Sequence, residues 1–305
     1  VMSRMDLDHF ILNEGKLKGD VTVYEGCQVE KIGEERKVLK LSTSLGDFHT
    51  QMVIGADGNH SIVAKELAGR NGIDKNHHCA ALRQYYKNVD WPQGNHHIDI
   101  FAIEDTMPGY LWVFPMSDNR ANVGIGMLSQ KLSKNKVNLK KVLENALATH
   151  PELAGRFKDA EPIESVKGFG IPIGSKRYSL SGNRFLLVGD AACLVDPISG
   201  EGIANAIRSG RFAAEYASKA IAEGRFDAKY LRAYDRKIYE LIGDELRLSA
   251  FFQRVFLRKS IFNWTVRYVK RHPKSLDRIR RVFLETSFFN QWSKPGFYFK
   301  QRVKK

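Results

Sequence analysis

Leu187-Val188-Gly189-Asp190-Ala191-Ala192, then Asp196-Pro197-Ile198-Ser199-Gly200-Glu201-Gly202-Ile203-Ala204-Asn205-Ala206, reads as an apolar strand, a turn and the start of a helix. The strand ends in Gly189-Asp190. A carboxylate at the C-terminal edge of a strand can accept hydrogen bonds from sugar-like hydroxyls. Pro197 fixes a turn, and Gly200 and Gly202 remove side chains where backbone must approach a ligand. The helix begins at once, so its free N–H groups and positive dipole end face the same place. Such an end suits an electron-rich ring that becomes anionic on reduction.

Upstream, Val53-Ile54-Gly55-Ala56-Asp57-Gly58-Asn59-His60-Ser61-Ile62-Val63 is a second apolar strand that ends in a glycine turn before a short helix. Asp57 can cap that helix or order loops around a phosphate-bearing ligand. Asp57 and Asp190 stand 133 positions apart. Between them lies Gly109-Tyr110-Leu111-Trp112-Val113-Phe114-Pro115, followed by Asn122-Val123-Gly124-Ile125-Gly126. On a strand Tyr110, Trp112 and Phe114 share one face. That face is either a core stripe or a wall for a long apolar ligand.

These segments, in this order, resemble the Gly-Asp and Asp-Gly motifs of the para-hydroxybenzoate hydroxylase-like superfamily. Tyr110 to Gly126 resembles the YxWxFP…VGxG motif of its geranylgeranyl reductase family. Arg4-Met5-Asp6-Leu7-Asp8-His9-Phe10-Ile11 is similar to a helix of that family whose arginine lies near the cofactor. The resemblance departs at Ala64, where the pattern has arginine, and at Cys193, where it has glycine. It implies an FAD site made by Arg4, Val29, Asp57, Gly58, Gly189, Asp190, Pro197, Gly200, Gly202 and Ile203. Tyr110, Trp112, Phe114 and Pro115 would line the substrate. The implied activity is hydride transfer from reduced flavin to isoprenoid double bonds, with NAD(P)H or ferredoxin as electron donor and an isoprenoid lipid as substrate. No catalytic acid stands out. A flavin-dependent monooxygenase or hydroxylase remains open on the same residues. So does, from another class, a non-catalytic membrane-binding fragment.

The implied fold class is α/β (α+β). It comprises the remainder of an FAD-binding Rossmann-like domain over 1–78 and 166–240, an antiparallel-sheet substrate domain over 79–165, and a basic, aromatic helical region over 241–305. The Gly-x-Gly-x-x-Gly turn that opens such flavoproteins does not occur in the sequence. The chain is therefore expected to lack the N-terminal dinucleotide-binding strand and to hold FAD poorly.

Hydrophobic periodicity predicts helices over 4–15, with Leu7, Phe10 and Ile11 on one face, and over 61–67, 139–149, 151–157 and 202–223. It predicts strands at Val21–Tyr24 and Gln28–Ile32, and a hairpin of 37–42 with 48–54 through Gly46-Asp47. Alternating runs at 81–86, 97–103, 109–114 and 121–127 predict an antiparallel sheet. Residues after Tyr230 read as helical.

The 305 residues carry a net charge of +14. Residues 244–305 hold 16 Lys and Arg against 4 Asp and Glu, whereas the other 243 carry 32 against 30. This basic region interleaves aromatics such as Phe262, Trp264 and Tyr268, the pattern of a helix that lies on an anionic membrane. Nucleic acid is set aside as a partner. Three scattered cysteines, Cys27, Cys79 and Cys193, argue against a disulfide framework and for a reducing compartment. No Cys-x-x-Cys pair exists, and the adjacent pairs His77-His78 and His96-His97 point apart, so no metal site is expected. The start of the chain has no secretory pattern, and no apolar run is long enough to span a bilayer. A cytoplasmic location is expected, peripheral on the inner face of the membrane.

Overall fold

A computed structural model describes residues 3–19, 21–92, 94, 97–256 and 258–272. The chain divides into two units, Val1–Ala250 and Phe251–Lys305.

In the first unit α1 (Arg4–Lys18) is capped by Ser3, whose Oγ accepts from the Asp6 N–H at 3.2 Å. The helix runs past Gly15, the predicted end. It buries none of its residues, so Leu7, Phe10 and Ile11 do not form a covered face within the described structure. β1 (Val29–Glu35), β2 (Val38–Thr43) and β3 (Gly46–Thr50) form an antiparallel meander. The segment Val21–Tyr24 is irregular rather than a strand; Tyr24 instead packs edge-on against Phe48 at 5.0 Å.

The predicted hairpin is corrected in two ways. Its turn is Ser44-Leu45, and its second arm splits after Thr50. The Thr50 hydroxyl donates to the Met52 carbonyl at 2.9 Å and turns the chain. β4 (Val53–Gly55) then leaves for another sheet. α2 (Ile62–Glu66) follows, capped by Ser61.

β5 (His78–Lys87), β6 (Asp99–Phe101), β7 (Tyr110–Pro115) and β8 (Ala121–Leu128) build the predicted antiparallel sheet. α3 (Ser129–Asn135) and α4 (Leu139–Thr149) come next. The stretch 151–157 is a run of turns rather than a helix, though Leu153 and Phe157 are buried. β9 (Glu161–Pro162) and β10 (Lys167–Pro172) complete the sheet, whose main order is β10-β5-β8-β7-β6 with β9 on β5. One face is a core. Leu111, Val113, Val123 and Ile125 are fully buried with Leu143 and Leu147 of α4.

β11 (Ser181–Gly182) and β12 (Phe185–Leu187) return to β4. β12 and β4 pair in parallel, Leu186 beside Ile54 and Leu187 beside Gly55. α5 (Ile203–Glu223) covers this small sheet with a stripe of small residues at helical spacing: Ser209, Ala213, Ala217 and Ala220. α6 (Ala228–Phe256) adds Leu231, Tyr234, Ile238, Ile242 and Leu246 to the same core. The Tyr234 hydroxyl donates to the Leu187 carbonyl at 2.8 Å, so even this buried phenol is satisfied.

In the second unit α7 (Lys259–Arg271) carries Trp264 stacked on Tyr268 at 5.5 Å, both exposed. The rest of the basic aromatic region, including Phe288, Phe289 and Trp292, lies outside the described residues. No helix among the described residues is long and apolar enough to cross a membrane.

Candidate functional site

Parallel pairing of β12 with β4 sets the two acidic turns side by side. Gly58 and Ser61 from the first, and Asp190, Ala191 and Cys193 from the second, line one cleft of about 490 Å³. Residues 69–74 and Lys176 close it. Asp57 itself is turned to the helix: its Oδ2 accepts from the N–H groups of Ile62 at 2.7 Å and Val63 at 3.2 Å. It caps α2 together with Ser61.

Gly189 has φ +53, and a Cβ there would sit 3.1 Å from that of Ala206, so only glycine lets the turn press on α5. Its N–H donates to Ser209 Oγ at 3.0 Å. Asp190 follows in a single 3-10 turn. Among the described residues its carboxylate takes no hydrogen bond. Burial holds its carboxyl above the usual carboxylate range, and the Arg4 charge pulls it back down. Arg4 thus acts on Asp190 through space, although its hydrogen bonds go to Asp8. Val29 begins β1, half-buried against the flank of the core and away from the cleft.

The loop after Asp190 is organised by Asp196. Its Oδ1 accepts from the N–H groups of Ile198 at 2.9 Å and Ser199 at 2.7 Å. It also accepts from the hydroxyls of Ser199 at 2.9 Å and Ser249 at 2.8 Å. Pro197 is buried and Gly200 has φ +67. Gly202 is the N-cap of α5 and supplies no side-chain cap. A Cβ on Gly202 would stand 3.4 Å from Asp190 Oδ1 and 2.9 Å from Val195. Bare backbone, first-turn donors and a carboxylate without a described partner therefore meet here, with Ile203 partly exposed beside them.

The antiparallel sheet reaches this loop through β7. Strand alternation buries Leu111, Val113 and Pro115 and leaves Tyr110, Trp112 and Phe114 half-buried on the other face. Pro115, expected on the substrate wall, therefore points into the core side instead. The three aromatics form a row, with rings 6.0 Å and 6.3 Å apart. Gly124 makes room for the indole, since a Cβ there would collide with Trp112. The Tyr110 hydroxyl donates to the Ser199 carbonyl and lies against Gly200. Burial pushes its pKa up to about 12, so it keeps its proton.

Sequence reading passed over three residues that shape the site. Asp196-Pro197 is a turn-initiating pair and was a signal for the first. Ser249 and Arg70 carry no local signal. Arg70 donates to the Ala191 carbonyl at 2.9 Å and to the Ser179 carbonyl, and stacks on Tyr178 at 4.6 Å. Ala64, where the family pattern has arginine, is buried. Cys193 Sγ lies 3.8 Å from Arg70 Nη1, and burial still pushes its thiol up. His77 and His78 point to different partners, Ser175 and Ser129, each at 2.7 Å.

Residues 78–169 match the geranylgeranyl reductase catalytic domain. The digeranylgeranylglycerophospholipid reductase of Thermoplasma acidophilum is 31% identical over 230 residues, 75% of this chain and 52% of that one. Its namesake from Methanococcus aeolicus is 34% identical over 212 residues, 67% of this chain and 51% of that one. The chain spans about half the length of the curated relatives it matches. Among solved structures, a geranylgeranyl bacteriochlorophyll reductase-like protein of Thermoplasma acidophilum has TM-score 0.69 at 26% identity, covering 82% of this chain and 62% of that one. A flavin-dependent brominase, at TM-score 0.70 and 21% identity over 92% of this chain and 70% of its own, shares the fold.

Proposed function

We propose that this chain, which belongs to the geranylgeranyl reductase family, acts in the FAD-dependent reduction of carbon–carbon double bonds in an isoprenoid lipid. The observation that carries this reading is the hydrogen bond from Tyr110 to the Ser199 carbonyl. It joins a half-buried aromatic face to a loop that ends at a helix N-terminus with no side-chain cap. An apolar chain on the face would therefore lie beside a flat ring held at the loop. The residues fit that cofactor. Asp190 offers a carboxylate without a hydrogen-bond partner among the described residues, and Gly200 and Gly202 clear space that a Cβ would fill. The first turn of α5 has N–H groups to stabilise negative charge.

FAD, once reduced by an external electron donor, would supply a hydride to one alkene carbon, with a proton from solvent completing the other. The chain's own residues bind and orient. Trp112 and Phe114 pack along the prenyl chain and exclude water, and Tyr110 holds the wall to the loop. Residues 1–78 and 166–240 are the proposed halves of the cofactor-binding part, and 79–165 the substrate-binding part. NAD(P)H or ferredoxin is the proposed source of electrons. The exposed aromatics of α7, with Arg267, Lys270 and Arg271, fit a basic helix that rests on an anionic membrane surface and reaches a lipid substrate there.

Reconstitution of the full chain with FAD tests the reading. FAD is expected to bind weakly, followed at equilibrium by flavin absorbance at raised FAD concentration, and to lose about ten-fold or more in affinity in Asp190→Ala. With a reductant and no oxygen, the wild type is expected to saturate a geranylgeranyl chain, while Trp112→Ala keeps FAD and loses that turnover. Failure to hold FAD under any condition sinks the reading, and an oxygen-dependent hydroxylated product would replace it with a monooxygenase. Flotation with anionic but not neutral vesicles checks the membrane surface.

A further inference from the structure

Besides the backbone ties to Glu201, two side chains of other elements anchor the 196–200 loop among the described bonds. Inside it, three described bonds converge on one oxygen, Asp196 Oδ1, the Ser199 hydroxyl also accepts from the Glu201 N–H at 3.2 Å, and the Gly200 N–H donates to the Asp196 carbonyl at 3.0 Å. The loop therefore moves as a block. One anchor is Ser249 of α6, which donates to Asp196 Oδ1 at 2.8 Å and accepts from the Ile198 N–H at 3.1 Å. The other is the Tyr110 hydroxyl on the Ser199 carbonyl. Ser199 is only three residues before Gly202, where the first-turn donors of α5 begin.

Tyr110 is also the first ring of the aromatic row. Its ring meets Trp112 edge-on at 6.0 Å, and that indole lies directly over Gly124. A chain laid on this face presses on the rings, and a tilt of the Tyr110 ring moves its far end most. That end is the hydroxyl that grips the loop. The phenol keeps its proton well beyond neutral pH, so the bond persists as a donor bond.

We infer that Tyr110 is a positioning residue that couples occupancy of the aromatic face by a prenyl chain to the geometry of the 196–200 loop, and through it to the affinity of the site for flavin. The inference rests on the function proposed above. Linkage makes the coupling reciprocal: if a prenyl chain changes flavin affinity by a given factor, flavin changes prenyl affinity by the same factor.

The experiment is a titration of the full chain with FAD, followed by flavin absorbance, with and without saturating geranylgeraniol in detergent. The lipid is expected to change the FAD dissociation constant of the wild type about five-fold or more and to perturb the flavin spectrum. In Tyr110→Phe, which keeps the ring, that ratio is expected to fall to within about two-fold of unity. Tyr86→Phe removes a phenol hydroxyl elsewhere on the sheet, one that donates to Gln84 Oε1 at 2.9 Å, and is expected to retain the ratio. No FAD binding by the wild type overturns the functional reading and the inference with it. FAD binding with the lipid response intact in Tyr110→Phe overturns the inference alone, as does equal loss in Tyr86→Phe. A second measurement needs no variant: in the FAD-loaded wild type, lipid should slow amide hydrogen exchange at Ile198, Ser199 and Gly200. Unchanged exchange there would also overturn the coupling.

Discussion

The two cores of the first unit reach similar burial by opposite routes. The six-stranded sheet is built around a local meander, β6-β7-β8, in which β7 and β8 are separated by a five-residue turn, and β5, β9 and β10 join it through long-range pairings. Its alternation writes a buried and a half-buried face directly into the sequence. The core around β12 is assembled from a distance. Two three-residue strands, Val53–Gly55 and Phe185–Leu187, pair in parallel, and helices contributed later in the chain cover them. The difference shows where chemistry can be placed. The local sheet supplies a broad, patterned wall. The non-local core supplies turns whose glycines and carboxylates converge only on folding.

Parallel perturbation of both cores gives the largest expected effect. Leu111 and Leu187 are both fully buried. Leu111→Ala and Leu187→Ala should each cost about 3 kcal/mol, the usual range for a cavity left by leucine. Urea unfolding followed by circular dichroism and by tryptophan fluorescence should show one coincident transition for each variant. Two separated midpoints would break the comparison by making the cores independent.

Gly124→Ala isolates the patterned wall. The added Cβ would strike the Trp112 indole and the Leu82 carbonyl. Overpacking of this kind costs about 2 kcal/mol and should red-shift Trp112 emission as the ring is pushed outward. An unshifted melting temperature and spectrum would mean that the indole does not occupy this place.

Asp57→Ala probes the turns. Loss of the two cap bonds to Ile62 and Val63 should cost about 1 kcal/mol, measured as a lower thermal midpoint. A loss in FAD binding out of proportion to this would show a role for Asp57 beyond capping.

Asp190→Asn should have the smallest effect on stability, and of the opposite sign. The folded carboxyl titrates above its ordinary value because it is buried without a described donor. Such a group contributes stability that is present at pH below its unfolded value and is lost as pH rises through the folded value. The amide mimics the protonated form. Thermal midpoints of variant and wild type should converge near about pH 3 and diverge in favour of the variant toward neutral pH. A variant less stable than wild type at neutral pH would show that the carboxylate has a partner in the folded chain.

By itself the sequence determined the sheet, the two acidic turns, the glycine-cleared helix start and the aromatic row. Each leaves a local signal in strand alternation, turn chemistry or helix capping, even where, as for β5 with β8 and β10, the pairing itself is long-range. The strand period alone places Pro115 on the face opposite Tyr110, and Asp57 caps a helix only five residues on, so both are local outcomes. Tertiary structure decided the rest. It split the predicted hairpin, because β4 gains a parallel partner only when β12 arrives, with Phe185 set beside Val53 from 132 positions away. It made Asp196, Ser249 and Arg70 part of the site, since a carboxylate, a hydroxyl and a guanidinium acquire their roles from donors and acceptors that only folding brings within about 3 Å. The hydroxyl of Tyr110 belongs to both accounts. Its place in the aromatic row follows from the strand period, and its grip on Ser199 follows from the packing of one core against the other.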